Sequence, residues 1–399
     1  MTGNIMQFAQ RIQQVKPSPT LALNARAKKM QAEGLNVINF TCGEPDFDTP
    51  THIKNAAIEA INSGFTKYTP DTGIVELKDA VIRALKREQN LDYKREELII
   101  TPGAKYAIMT ALQALISSGD EVIIPAPYWV SYPDQTLLCE GRPVIIQAGE
   151  GNDFKITAAQ LEEAITKKSR LLILNSPSNP TGAAYTKEDL GEIAKVCVRH
   201  NIMVISDEIY DSVVFNNFKC TSIAKFEGMR DRTIVVNGVS KKFAMTGWRV
   251  GFAAAPAELV AKMAIIQGQA VTNATSISQK AAVAAYDGGN ADVETMVAAF
   301  CERRNFIVKR LNEIGLKCRT PEGAFYAFPN VEILFGKTLD GKKIASSADV
   351  SEFLLGNAHV ATVPGSAFGL EGFIRLSFAT SMENIKEGLD RIEKAIKTN

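Results

Sequence analysis

Short apolar runs, several of them nearly all Ile, Leu and Val, recur between residues 97 and 256 and alternate with amphipathic stretches. The runs are Glu97–Ile100, Glu121–Ile124, Pro143–Ile146, Leu171–Leu174, Ile202–Ile205, Thr233–Val236 and Arg249–Ala253. Runs without polar alternation predict strands covered by helices on both faces. Between the first two, Ala107, Ile108, Ala111, Leu112, Leu115 and Ile116 predict a helix that Gly119 ends. The alternation predicts an α/β domain around one mainly parallel sheet.

The C-terminal region has a different rhythm. Gly323–Phe328 and Phe373–Phe378 predict two strands set among helices. Thr380 with Glu383 forms a capping-box pattern, after which Ile385, Leu389, Ile392 and Ile396 line one face of a final helix. No repeat, low-complexity tract or flexible linker interrupts the chain.

Composition narrows the function classes. A chain of 399 residues, 46% hydrophobic, can bury a core large enough for two domains. A formal net charge of +1 gives no reason to expect a polyanionic partner such as nucleic acid. No apolar run approaches the ~20 residues of a membrane helix, so no membrane association is expected. The six cysteines (Cys42, Cys139, Cys197, Cys220, Cys301 and Cys318) include no C-x-x-C pair, a pattern that fits reduced thiols in a cytoplasmic enzyme. The N-terminal segment is basic and lacks acidic residues before Glu33, the composition of a transit peptide; it is read as mature protein because family-like sequence already begins at Val15. His52, His200 and His359 are far apart, and no metalloprotease, nucleotide-loop or serine-hydrolase signature is present, so no metal is expected.

Lys241 follows the apolar run Thr233–Val236 and opens Lys-Lys-Phe-Ala-Met-Thr-Gly-Trp-Arg, ending at Arg249. A lysine in a partly desolvated pocket can lose its proton and form a Schiff base, and an arginine offers a fixed fork to a phosphate. Taken alone, the pair fits a solvated loop better. Asp207 closes the run Ile202–Ser206, at the strand end where open α/β sheets bind ligands. Gly103 and Ala104 precede the apolar helix, whose first N–H groups suit an anion.

Four segments are decisive together: Asn175–Gly182, Ser206–Tyr210, Ser240–Arg249 and Phe373–Ser377. They resemble the active-site signatures of class I aminotransferases, which use pyridoxal 5'-phosphate on fold type I. Gly43–Phe47 and Pro127–Pro133 extend the resemblance, which runs from about Ile12 to the C-terminus and lies nearest the prokaryotic-type aspartate aminotransferases. The resemblance implies a large domain over 48–300 with a seven-stranded, mostly parallel sheet containing one antiparallel strand. It implies a smaller α+β domain from 1–47 and 301–399.

It also implies roles. Lys241 carries the cofactor and shuttles the proton. Asp207 holds the ring nitrogen, Asn179 and Tyr210 the phenolic oxygen, and Trp129 the ring face. Gly103, Ala104, Lys105, Ser240 and Arg249 surround the phosphate, joined by Tyr68 from a second copy, so a homodimer is expected. Arg375 and Gly43 receive the α-carboxylate of the amino-acid or 2-oxo-acid substrate, with Trp129 and Asn179 beside them. Lys105, or less strongly Lys16, meets a distal carboxylate.

Two departures stand out. Lys242 occupies a position that is more often small, although the eight-residue step from Lys241 to Arg249 keeps the family register. Gln267–Asn273 replaces a more polar S-Q-S-T-S-N. The expected activity is transfer of the amino group of aspartate to 2-oxoglutarate by a ping-pong exchange. An aromatic or prephenate aminotransferase, or a lyase of the same fold, are the alternatives.

Overall fold

The computed structural model describes residues 6–15, 17 and 19–398. The apolar runs form β1 (Leu98–Thr101), β2 (Glu121–Ala126), β3 (Arg142–Gln147), β4 (Ser169–Asn175), β5 (Met203–Asp207), β6 (Thr233–Gly238) and β7 (Gly251–Ala254). They make one seven-stranded sheet in the order β1-β7-β6-β5-β4-β2-β3. The pairs from β6 through β5, β4 and β2 to β3 are parallel, while β7 runs antiparallel to both β1 and β6. Because β1, β6 and β7 are buried throughout and β5 nearly so, their hydrophobic runs show no alternation. Helices Ala104–Leu115 and Ala257–Ala270 cover one face; Thr51–Asn62, Val75–Gln89 and Ser276–Asp287 pack together in another layer.

A second assembly joins the two ends of the chain. Ile38–Asn39 pairs in parallel with Val360–Ala361, and Ile374–Ser377 lies between Val363–Pro364 and Tyr326–Ala327 in an antiparallel sheet. Ile38 and Phe40 thereby share a core with Phe300, Phe325, Leu376 and Ile392. This pairing sets the segment after Phe40 directly beside Arg375.

Three local readings need correction. Arg249 belongs to no strand: it takes a left-handed conformation (φ 56°), and the strand starts at Gly251. Only Tyr326–Ala327 is strand within Gly323–Phe328, since Ala324 also has positive φ (56°). The final helix, Met382–Thr398, is capped by Ser381, whose Oγ accepts from Asn384 N at 3.2 Å; Thr380 instead receives the Asn384 side chain. Ile385, Leu389 and Ile392 are buried on that helix as its periodicity requires. All six cysteines are free thiols.

Candidate active site

The carboxyl ends of β4, β5 and β6 open on a cavity of about 430 Å³. Parallel pairing sets Asn175 level with Asp207 at the ends of β4 and β5. Asn175 Nδ2 donates to the Asp207 carbonyl at 2.9 Å, and Asn175 Oδ1 accepts from Asn179 N at 2.9 Å. One asparagine thus ties the turn carrying Asn179 to the strand carrying Asp207.

Asp207 is buried, and its Oδ2 accepts from the Tyr132 hydroxyl at 2.7 Å while Oδ1 accepts from Ile209 N at 3.2 Å. Desolvation pushes its carboxyl up to about 6; the two hydrogen bonds and the nearby Lys241 oppose that rise. Its neighbour Glu208 points away from the cavity. Ser206 and Ser222 donate to Glu208 Oε1 at 2.8 and 2.6 Å, and burial drives that carboxyl up to about 7.

β6 ends at Gly238 and passes into the helical turn Val239–Lys242. Lys241 Nζ enters the cavity and donates to the Gly43 carbonyl. Desolvation lowers its pKa to about 8, with Glu44 opposing and Arg375 and Arg249 reinforcing the fall. Lys242 faces the other way, buried against Glu88 in an ion pair of 2.7 Å. The turn therefore offers only the first of the two lysines to the cavity.

The opposite wall is cationic. Arg249 donates to the Thr246 carbonyl at 2.9 Å and the Pro102 carbonyl at 3.3 Å. Gly103 has φ 89°, and a Cβ there would lie 2.5 Å from Arg249 Nη2; only glycine lets the helix Ala104–Leu115 begin so close. That helix starts at the cavity wall with Ala104 and Lys105, whose N–H groups, unlike that of Tyr106, have no backbone acceptor. Ser240 also lines it. Lys105 Nζ lies 4.8 Å from the centre of the Trp129 ring, and burial followed by Arg249 lowers its pKa.

Arg375 is buried at the cavity edge. Nη1 donates to Asn179 Oδ1 at 2.9 Å and Nη2 to the Thr41 carbonyl at 2.7 Å, while Nε has no partner. The guanidinium stands 4.5 Å from the Tyr326 ring centre, and the Tyr326 and Tyr210 hydroxyls share a hydrogen bond of 2.8 Å. A Cβ on Gly43 would fall 3.0 Å from the Tyr326 hydroxyl.

Of the residues singled out from sequence, Gly43, Ala104, Lys105, Trp129, Asn179, Asp207, Tyr210, Ser240, Lys241, Arg249 and Arg375 line this one cavity, with Gly103 at its border. Tyr68 does not: it is 87% exposed on the surface. Lys16 lies outside the described residues. Tyr132, Asn175, Tyr326, Thr41, Cys42 and Asn24 join the wall without having been assigned roles. Tyr132 falls within a segment that already carried the resemblance, Pro127–Pro133, so its position was signalled although its bond to Asp207 was not.

Lys105, Lys241, Arg249 and Arg375 face two carboxylates, Glu44 and Asp207, and among the described residues none of the four cations is in an ion pair. Unpaired cations in a half-buried cavity favour a ligand with several negative charges.

A cavity of this kind at the ends of a mainly parallel sheet defines a pyridoxal-phosphate-dependent transferase of fold type I. The family model for aminotransferase class I and II matches residues 36–392, and the chain belongs to that family. It is 44% identical to an aspartate aminotransferase of Bacillus subtilis, covering 98% of this chain and 99% of the relative. It is 45% identical to an aspartate/prephenate aminotransferase of Nitrosomonas europaea, covering 97% and 99%. The crystal structure of an aspartate aminotransferase from Rhizobium meliloti superimposes with a TM-score of 0.95 at 45% identity, covering 98% of this chain and 99% of that one. No helix among the described residues is long and apolar enough to cross a membrane.

Proposed function

We propose that this enzyme transfers the amino group of aspartate to 2-oxoglutarate, by a ping-pong exchange on pyridoxal 5'-phosphate held by Lys241. The carrying observation is the convergence of four unpaired cations on one cavity beside a buried carboxylate. The chemistry of this donor set fits the cofactor. The Gly103–Ala104 turn with Lys105, Ser240 and Arg249 suits its phosphate; Trp129 offers an aromatic face; Asn179 and Tyr210 suit a phenolic oxygen, and Asp207 a protonated ring nitrogen. With Oδ1 of Asn179 taken by Arg375, its Nδ2 remains the available donor. When bound, the cofactor supplies an electron sink for the negative charge that develops at the substrate Cα.

Every other step belongs to the chain. Lys241 Nζ, neutral above about pH 8, holds the cofactor and later takes and returns the Cα proton. Asp207, ionised above about pH 6, keeps positive charge on the ring nitrogen. Arg375 binds the α-carboxylate, a role its unpartnered Nε supports, and Gly43 leaves room beside it. Lys105 meets the distal carboxylate of aspartate or glutamate. The single-chain exposure of Tyr68 supports its crossing to the phosphate of a second copy, making the working unit a cytoplasmic homodimer. We assign residues 48–300 to the cofactor domain and 1–47 with 301–399 to the smaller one; the core that Ile38 and Phe40 share with Leu376, Ile385 and Ile392 supports joining the two ends of the chain, while the helix Ala291–Ile314 runs through the boundary.

The name of the Nitrosomonas europaea relative favours one second reading, amino transfer to prephenate. Measuring kcat/KM for aspartate, phenylalanine and prephenate with matched co-substrates tests both. Aspartate with 2-oxoglutarate should lead. A clear preference for an aromatic donor would overturn the aspartate reading, and release of ammonia without 2-oxo acid exchange would overturn amino transfer itself.

A further inference from the structure

Tyr68 is 87% exposed and has no partner among the described residues, yet the loop that carries it is braced on both sides. Ser276 Oγ donates to the Phe65 carbonyl at 3.1 Å. Gln279 Nε2 donates to Thr69 Oγ1 at 2.9 Å and its Oε1 accepts from Ile74 N at 2.9 Å. Gln267 Nε2 donates to the Asp71 carbonyl and, at 2.8 Å, to the Ile100 carbonyl in β1. Lys78 Nζ holds Thr72 Oγ1 at 2.9 Å.

Gln267 and Gln279 come from two different helices and are both fully buried. Burying a primary amide is unfavourable unless its hydrogen bonds are met, and Gln267 Oε1 has no partner. Apolar side chains would fill the same space without that cost. What the amides add is direction: Gln279 grips the loop at Thr69, next to Tyr68, and again at its far end, Ile74, while Gln267 ties Asp71, three residues from Tyr68, to Ile100 of β1. Gly73, with φ 98° and no room for a Cβ against Ile100, lets the loop turn back onto β1. A surface loop fixed so closely presents its one unpartnered aromatic in a set direction.

We propose that Gln267 and Gln279 are positioning residues that act on the neighbouring subunit: they hold the loop so that Tyr68 completes the cofactor pocket of a second copy of this chain. The inference rests on the reading that Tyr68 crosses the dimer interface. Its signature is that the glutamines serve the site they do not belong to.

Hybrid dimers with one working lysine separate the two arrangements. In the first, a Lys241→Ala/Gln279→Leu chain pairs with a parent chain, so the altered loop faces the intact Lys241. In the second, a Lys241→Ala chain pairs with a Gln279→Leu chain, so the alteration and the intact Lys241 share a chain. Each cofactor-free hybrid is titrated with pyridoxal phosphate, reading the absorbance of lysine-bound cofactor, which only an intact Lys241 produces. The dissociation constant should rise about threefold to tenfold in the first hybrid, as the loop loses both hydrogen bonds that Gln279 makes to it, and stay near the parent value in the second. Thr69→Val, which removes only the loop-side acceptor, should follow the same ordering if Gln279→Leu folds poorly. An equal rise in both hybrids, or a larger one in the second, would overturn the proposal. Tyr68→Phe in the same two arrangements is the control. If it too has no effect on the facing site, the interface reading fails. If it weakens the facing site while Gln279→Leu and Thr69→Val do not, only the role of the glutamines fails.

Discussion

The Tyr132 hydroxyl donates to Asp207 Oδ2 at 2.7 Å, joining residues 75 positions apart in the deepest part of the cavity wall. The bond works against burial, which drives the Asp207 carboxyl up to about 6. Without it the carboxylate would be more easily protonated near neutrality. Tyr132→Phe should therefore move the acid limb of the pH–rate profile to higher pH by about one unit, since a hydrogen bond to a charged group contributes about 1.5 kcal/mol or more. An acid limb that does not move would mean that Asp207 ionisation does not govern the rate.

The same carboxyl sets a stability slope in the cofactor-free protein. Its folded pKa exceeds the ordinary 3.8, so the folded state holds the proton more tightly than the unfolded chain. That contribution is complete at low pH and is lost as pH rises through about 6. At pH 7.5, cofactor-free Asp207→Asn should be more stable than the parent by up to about 3 kcal/mol, measured by urea denaturation. The same variant should lose most transamination. Equal stabilities, or near-normal turnover, would remove Asp207 from the scheme.

Lys241 should capture the cofactor as its neutral amine. The rate at which cofactor-free enzyme takes up pyridoxal phosphate should rise with pH around a midpoint near 8, where desolvation has brought the side chain. Glu44 holds that value up, so Glu44→Gln should lower the midpoint. Stopped-flow absorbance across pH 6 to 10 decides it; a flat profile would contradict the assignment.

The two adjacent lysines should separate cleanly. Lys241→Ala should abolish transamination, and borohydride reduction of the parent followed by mass spectrometry should find the cofactor on Lys241. Lys242→Ala should keep attachment but destabilise the fold by about 1 kcal/mol, because it leaves Glu88 with only its exposed Arg87 partner and removes the cation facing buried Asp211. Cofactor found on Lys242 would reverse the assignment.

Lys105 should discriminate among substrates. Losing its contact with a distal carboxylate should cost about 1.5–3 kcal/mol, a roughly tenfold to hundredfold drop in kcat/KM for aspartate and glutamate. Phenylalanine should lose much less with Lys105→Ala, only what Lys105 contributes through the cofactor phosphate. Equal losses for all three would assign Lys105 to the cofactor or the fold.

Much of this architecture was legible because the central strands are nearly uninterrupted apolar runs, and burial on both faces leaves that mark in a sequence. Strand direction leaves none: nothing in Gly251–Ala254 marks it as antiparallel to both β1 and β6, and only the family resemblance implied an antiparallel member. The positive φ of Arg249 and Ala324 was hidden because side chains that normally avoid that region gave no glycine signal. The capping pattern at the last helix was present but displaced by one residue, since Thr380 and Ser381 are both competent caps. Lys241, Asp207, Asn179 and Arg375 could be singled out because their types are tied to a chemistry. Asn175 and Tyr326 could not, because they act through other side chains and an asparagine or a tyrosine has many bland uses.

Behind the lining residues Ala104, Ser240 and Arg249 lies a floor of bare backbone where Gly103, Gly238 and Gly251 meet. A Cβ at Gly238 would lie 2.8 Å from the Gly251 Cα, and one at Gly251 would lie 2.3 Å from Ala104 N. Such a floor offers no side chain to vary, so substitution there can only close it. The walls, by contrast, draw Asn24, Cys42, Lys105 and Trp129 from separate segments, whose side chains can be exchanged without moving the backbone. Descendants of this chain could thus acquire new substrates through the walls while inheriting the floor intact.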